Sequence, residues 1–517
     1  MATARLSLAL FALTLATTPA LAAAPTREAQ VNAIIARYSA SPPALRVLLQ
    51  PMPKGGDLHN HLDGSVYAED YLRWASDDGF CVARLTHALT PPPCTPDQVP
   101  AKDLVTRDPK FYQQTIDALS MRNFVPGLGT GEVNGHDHTF ATFGRFAAVG
   151  ANHLDDMMIV TRRQAARDHV QYLEQIADPG VAFAPELLGG TWSFDPDDLE
   201  ASLASLHPLV LKLQVDSLGE FDRAIDKLNG ADSCSDPANQ RLCDIEIRYL
   251  FYVLRTLPPR QVFAQMALGF ALVTADPRFV GVNLVAPEDD PVALRDFDQQ
   301  MRMFQFFSRR YPKVKLSLHA GELALGLVPP ADLTHHIRDT VEIAGARRIG
   351  HGYSLPYETD AAGLLAEMAQ KKIAVEINLT SNAITPGIVG ADHPLALYRR
   401  AGVPATLSAD DEGVFRIDLT NEYVRAVTEQ KLSYLDLKRI ARNGIEYGFV
   451  EGGSLWQGGD YTKVVAVCAH DILGWGSQSK PCFDYLVMNT KAHLQWALER
   501  EFFFYETAVL KGPYARP

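Results

Sequence analysis

Beyond its first two dozen residues the 517-residue chain has no apolar run approaching the ~20 residues a membrane-spanning helix needs. It has no Cys-x-x-Cys pair, no fixed-period repeat and no low-complexity tract, which argues against a zinc ribbon, a solenoid and a disordered tail protein. Basic charge is also short: 48 Lys and Arg stand against 61 Asp and Glu, for a net −13 and a pI near 5.6. Neutralising a polyphosphate backbone needs a basic face, so this balance argues against a nucleic-acid polymer as partner while leaving a single nucleoside open. What the chain does have is core: 47% of its residues are apolar and 21% charged, an ordinary globular composition. The length admits two or three ordinary domains or one large α/β barrel.

The N-terminus reads as an export signal over residues 1–22. Arg5 supplies the positive start, Leu6 to Leu15 the apolar run, and Ala20-Leu21-Ala22 a small-x-small cleavage site. The expected product is exported, periplasmic or extracellular, with no stable membrane anchor. The six cysteines fall into close pairs, Cys81 with Cys94, Cys234 with Cys243 and Cys468 with Cys482. Local pairing is the simplest connectivity, and structural disulfides suit an oxidising compartment.

Residues 23–50 read as a helical lead-in, with Glu28, Val31, Ile34 and Ile35 at helical spacing. Residues 51–517 are expected to form one barrel domain. Residues 78–108, rich in Pro and polar groups and enclosing the first cysteine pair, are an irregular insertion after strand one. Short β-branched or apolar runs then recur about 25–35 residues apart, the length of a βα unit. With Asp57–His61 the expected strands are Val170–Leu173, Ile245–Leu250, Phe279–Leu284, Val314–Leu318, Arg348–Gly350, Ile373–Ile377 and Val403–Ser408. Eight such units make a (β/α)8 TIM-type barrel, whose active site lies at the C-terminal strand ends. Residues 448–517 form a closing tail, and 420–447 and 484–511 are expected helices.

The chemical residues sit at those strand ends. His59-Asn60-His61 closes the first strand, and alternating positions place both imidazoles on one face. His319-Ala320-Gly321-Glu322, Gly350-His351-Gly352 and Ser408-Ala409-Asp410-Asp411 close three others. Three His and a carboxylate suit a single Zn²⁺ with a position left for water. No Cys belongs to the set, and no bridging Lys marks a two-metal site. Other histidines read as bystanders: His136 and His138 as a solvated loop or helix cap, His335, His336 and His393 as surface or helix residues. Asn378 to Asn382 read as scaffold near the mouth.

The ordered motifs MPKGGDLHNHLDGSV, LHAGE, RIGHGYSL, EINLTSN and LSADDEGVF resemble those of the adenosine deaminase family, from about Pro51 to Tyr447. The signal, the lead-in, MPKGG and the Cys81–Cys94 insertion resemble the secreted growth-factor branch. So do Met121-Arg122-Asn123-Phe124 and Ala441-Arg442-Asn443-Gly444-Ile445-Glu446-Tyr447. The resemblance implies one zinc per chain held by His59, His61, His319 and Asp410. It implies that Glu322 protonates purine N1, that His351 orients and deprotonates the attacking water, and that Asp411 hydrogen-bonds N7. Asp63 matches a position that reaches the ribose 5′-hydroxyl, and the Ala286 N–H one that faces N3. Departures from the family pattern are Ala286 for a Gly, Glu412 for a Pro and Asn378-Leu379 for a Cys-Pro. The implied reaction converts adenosine or 2′-deoxyadenosine to the inosine and ammonia, with a small purine nucleoside as partner and a homodimer left open. The alternatives are a related aminopurine deaminase, another zinc amidohydrolase, or a non-enzymatic extracellular binding protein on the same scaffold.

Overall fold

The computed structural model describes residues 25–180 and 184–515; the export segment expected over 1–22 lies outside the described residues. Eight strands form one parallel sheet in chain order. They are β1 (Gly55–His61), β2 (Val170–Ala177), β3 (Glu246–Leu254), β4 (Phe279–Val285), β5 (Lys315–Ala320), β6 (Arg348–His351), β7 (Ala374–Ile377) and β8 (Ala405–Leu407). Each expected strand is present with its ends moved by a few residues. The ring closes between β8 and β1 at an Asn60–Asp410 bridge. There His61 N–H donates to the Asp410 carbonyl (3.1 Å) and Asp410 N–H to that of His59 (3.0 Å). Barrel closure is therefore made by the same residues that carry the candidate chemistry.

Helices cover the outside because parallel strands must be buried on both faces. Pro291–Arg310, between β4 and β5, shows how the sequence achieves this. Pro291 sits in the first turn, where a missing N–H costs nothing, and the Asp290 side chain accepts from Val292 N–H. Phe297, Met301, Phe304 and Phe307 then recur on one buried stripe.

The inside of the barrel is not purely apolar. Arg348, at the start of β6, is 1% exposed and pairs with Glu174 of β2 and Glu376 of β7. Its guanidinium also donates to the Tyr447 carbonyl (3.0 Å) and lies 3.7 Å from the Phe449 ring centroid. Residues just past the helix Tyr434–Glu446 thus plug the floor of the barrel.

Several local readings change. The span 78–108 is not irregular: Cys81–Ala83 is the centre of a three-stranded antiparallel sheet with Leu89–Thr90 and Gln98–Pro100. Such strands are too short to show alternation, and the helix Ala68–Asp77 separates them from β1. The helix expected over 484–511 is broken at Asn489 into Lys480–Met488 and Thr490–Lys511. Extended Asn489 instead accepts a hydrogen bond from Gly453 N–H (2.6 Å). The helix expected over 420–447 is likewise two, Leu419–Thr428 and Tyr434–Glu446, the second opened by a Ser433–Asp436 capping box. A 33-residue helix, Leu199–Ala231, runs between β2 and β3 and had no counterpart in the sequence reading.

Within residues 23–50, the helices Arg27–Arg37 and Pro42–Leu49 pack on the closing helices, where Lys438 pairs with Glu506 at 2.8 Å. All six cysteines are paired as Cys81–Cys94, Cys234–Cys243 and Cys468–Cys482, leaving no free thiol. Among the described residues no helix is long and apolar enough to cross a membrane.

Removing one partner of a buried ion pair leaves an uncompensated charge. Arg348→Met, which strands both Glu174 and Glu376, is expected to cost about 3–5 kcal/mol in urea unfolding. A loss under about 1 kcal/mol would remove Arg348 from this structural role.

Candidate active site

The C-terminal strand ends deliver the predicted side chains to one point. His59 and His61 alternate along β1, and both Nε2 atoms face Asp410, 3.3 and 3.4 Å from its Oδ1. His319, from the end of β5, brings its Nε2 to 3.2 Å from that of His61. His351, from the end of β6, stands with Nε2 3.8 Å from Asp410 Oδ2 and 3.7 Å from Glu322 Oε1. The imidazoles of His59 and His319 lie 4.4 Å apart, and those of His59 and His351 5.0 Å.

Close approach of this kind needs glycine beside it. A Cβ on Gly350 would come within 2.7 Å of His59 Cε1, and one on Gly64 within 1.8 Å of Asp411 Oδ1. It also carries strain: Asp410 (φ 60°), His351 (φ 63°) and Ala286 (φ 79°) all hold left-handed backbone, a cost of order 1–3 kcal/mol per residue that tends to gather at functional sites.

Three of the four imidazoles are oriented from behind. His59 Nδ1 donates to Glu376 Oε2 (2.8 Å), His319 Nδ1 to Asn283 Oδ1 (3.0 Å) and His351 Nδ1 to Asn382 Oδ1 (3.0 Å). With the Nδ1 proton committed, the Nε2 lone pair of each ring faces the centre. Glu376 in turn accepts from Ser317 Oγ (2.7 Å) and from Arg348.

Metal fit follows from the donor set. His59 Nε2 is buried without a hydrogen-bond partner, and two further imidazole nitrogens and a carboxylate converge beside it. His59, His319, His351 and Asp410 offer ligand atoms within 4.8 Å of one another, as do His61, Asp410 and Asp411. Burial lowers His61 to about 3 and drives His319 well below its usual value, so both rings are neutral and available as ligands. Burial alone would also lower His59, but the neighbouring Asp410 and Glu376 carboxylates raise it to about 10; a cation at the centre would replace that proton. These residues fit a metal. The expected ligand set was His59, His61, His319 and Asp410; the structure brings His351 into the same group.

The carboxylates divide. Burial would raise Asp410, yet His351, His59 and His61 hold it well below the usual carboxylate range. Burial and the neighbouring Asp410 and Asp63 charges push Asp411 well up, and its Oδ1 has no partner. Burial likewise raises Glu322. The Glu322 backbone N–H donates to Glu288 Oε2 (2.7 Å) and that of Gly321 to Oε1 (3.2 Å). Glu288 is itself held by His336 Nδ1 (2.7 Å) and lies 3.5 Å from the Arg255 guanidinium, which donates to the His319 carbonyl (2.6 Å).

The centre opens into a cavity of about 500 Å³ lined by His61, Asp63, His319, Glu322, His351, Asp410 and Asp411. Phe140, Phe143 and Ala147 of the helix Gly135–Gly150 form one apolar wall, and Ala286 and Phe415 others. No lysine or arginine among the described residues lines it.

Sequence reasoning gave no role to Glu376, Asn283, Glu288 and Arg255, and read Asn382 only as scaffold near the mouth. A charged residue inside the apolar run IAVEI was a readable signal for Glu376; the others act across strands. Four histidines read as bystanders are also placed differently. His136 and His138 lie in the first turn of a helix: His136 pairs with Asp289 (2.9 Å), and His138 is 4% exposed against Glu132. His336 and His393 are buried, the first under Glu288 and the second beside Asn382 (2.9 Å).

Outer partners of metal-ligating His hold the ligand tautomer, and losing one costs about 10–100-fold in metal affinity. Asn283→Ala is expected to weaken metal binding by that factor in chelator competition; unchanged affinity would refute its role.

Residues 220–454 match the adenosine deaminase family model. Adenosine deaminase from Yersinia pseudotuberculosis is 34% identical over 138 residues, covering 26% of this chain and 38% of the relative, so the match spans little more than a third of that protein. Aminodeoxyfutalosine deaminase from Streptomyces coelicolor is 39% identical over 107 residues, covering 20% of this chain and 27% of the relative. In fold, the chain is similar to an amidohydrolase from Burkholderia ambifaria solved with bound Zn, at TM-score 0.54 and 16% identity over 90% of this chain and 95% of that one. The matched segment spans β3 to β8 of the eight-stranded barrel, and its similarity is to the adenosine deaminase family.

Proposed function

We propose that this chain is an exported, zinc-dependent adenosine deaminase that converts adenosine or 2′-deoxyadenosine and water to the corresponding inosine and ammonia. The observation that carries the reading is a buried, raised Glu322 carboxyl facing a His351 whose other nitrogen is committed to Asn382, both on the wall of one cavity.

Zinc, held by His59, His61, His319 and Asp410, would supply Lewis acidity that lowers the pKa of water toward about 7. The remaining work falls to the chain's own groups. Glu322, whose carboxyl is raised by burial, donates to purine N1 and makes C6 electrophilic. His351 Nε2 takes the proton of the attacking water and stabilises the charge that develops on oxygen. Asp411, also raised by burial, presents a carboxyl proton to N7, an acceptor. The proton that leaves water reaches the amino group, the C6–N bond breaks and ammonia departs, and the remaining hydroxyl proton returns to Glu322 as the C6 carbonyl forms.

A phosphorylated substrate would want Arg or Lys at the mouth, and the lining has neither among the described residues. This favours a nucleoside over a nucleotide. Export to the periplasm or outside the cell, and membership of the secreted branch, are supported by the three disulfides and by the signal pattern of residues 1–22.

Purified mature protein loaded with zinc is expected to shift adenosine absorbance to that of inosine, and a chelator to stop it. Glu322→Gln should lower kcat about 10²–10⁴-fold with metal content unchanged, whereas His319→Ala should lose the metal. Failure of folded, metal-loaded protein to turn over any aminopurine nucleoside would overturn the reading.

A further inference from the structure

A second cavity, of about 390 Å³, adjoins the reaction cavity and shares Asp63, Ala147 and Tyr252 with it. It opens between the ends of β1 and β2 and the turn joining the helices Gly135–Gly150 and Leu154–Arg167. Phe146, Ala148, Leu154, Met157 and Ile176 make its walls apolar.

Size and charge together limit what fits. Small-ligand sites run from about 300 to 1,000 Å³, so the first cavity alone suffices for a nucleoside. The second, of similar size, adds room that a plain nucleoside does not use. Its only charged lining groups among the described residues are Asp63 and Asp178, so a phosphate or carboxylate would be repelled while a neutral or cationic group would not. A nucleoside whose amine-bearing carbon lies among His319, Glu322 and His351 has its sugar as the part farthest from the reaction.

We propose, resting on the aminopurine nucleoside reading above, that the second cavity is a subsite for an apolar, uncharged or cationic substituent on the sugar end of the nucleoside, such as an alkylthio group in place of the 5′-hydroxyl. The shared wall of Asp63, Ala147 and Tyr252 would be the passage between ring and substituent. Each methylene buried there would raise kcat/KM by up to about fourfold.

The test compares kcat/KM for adenosine, its 5′-deoxy-5′-methylthio and 5′-deoxy-5′-benzylthio analogues, and adenosine 5′-phosphate, all with zinc-loaded protein. Both thioethers are expected within tenfold of adenosine or above it, the benzyl compound no worse than the methyl, and the phosphate at least a hundredfold below. Adenosine turnover with either thioether more than tenfold slower would overturn the subsite and leave the deaminase reading standing. Turnover of no aminopurine nucleoside would overturn both. Ala148→Phe, which fills the second cavity, should lower the benzylthio-to-adenosine ratio about tenfold. An unchanged ratio in folded variant protein would mean that the substituent points into solvent, and would also overturn the proposal. The substrate series on the unmodified chain decides the matter if that variant does not fold.

Discussion

The buried Glu376 carboxylate joins the floor of the barrel to its mouth. It sits in the middle of β7, accepts from Arg348 near the floor and from Ser317 on β5, and holds His59 Nδ1 at 2.8 Å. The positive charges around it keep its pKa at about 2 although burial alone would raise it. A carboxylate cannot be buried in an apolar barrel without such compensation, and the compensation fixes which side of the His59 ring faces the centre. Stability and site orientation therefore rest on the same hydrogen bonds.

The same economy governs the ring closure. β8 and β1 meet through Asn60 and Asp410, so the carboxylate that faces three imidazoles also completes the barrel. Positive φ at Asp410 and His351 shows that the chain leaves ordinary strand geometry at those points to aim the side chains inward. Around them, one low-dielectric cavity keeps neighbouring carboxyl groups apart in protonation: Asp410 stays ionised beside the imidazoles, and Asp411 and Glu322 are raised by burial. Such a split between adjacent titratable groups is what lets one site hold a cation and deliver a proton.

Legibility followed the range of the interaction. The βα rhythm and the residues at strand ends could be read directly, because period and position along one strand are local. Glu376 was half-legible, as a charge interrupting IAVEI. Asn382 was not: it sits one helical turn past a strand, and only the packing of that turn on β6 brings its oxygen to His351. Glu288, in a turn, and His336, opening a short helix, are far apart in the chain and meet beneath Gly321 and Glu322. The break at Asn489 was hidden for a related reason, since its side-chain oxygen accepts from Gly453, a residue far from it in the chain.

The sequence by itself determined the barrel class and the His, Glu and Asp residues that reach the mouth, because each depends on composition or on local spacing; local cysteine pairing was its simplest reading, and the structure decided it. Tertiary structure alone decided how the His59, His319 and His351 rings are turned, which carboxyls are raised and which is lowered, and that a second apolar cavity adjoins the first. Those outcomes depend on burial and on partners from other strands, and no single segment of the chain contains either.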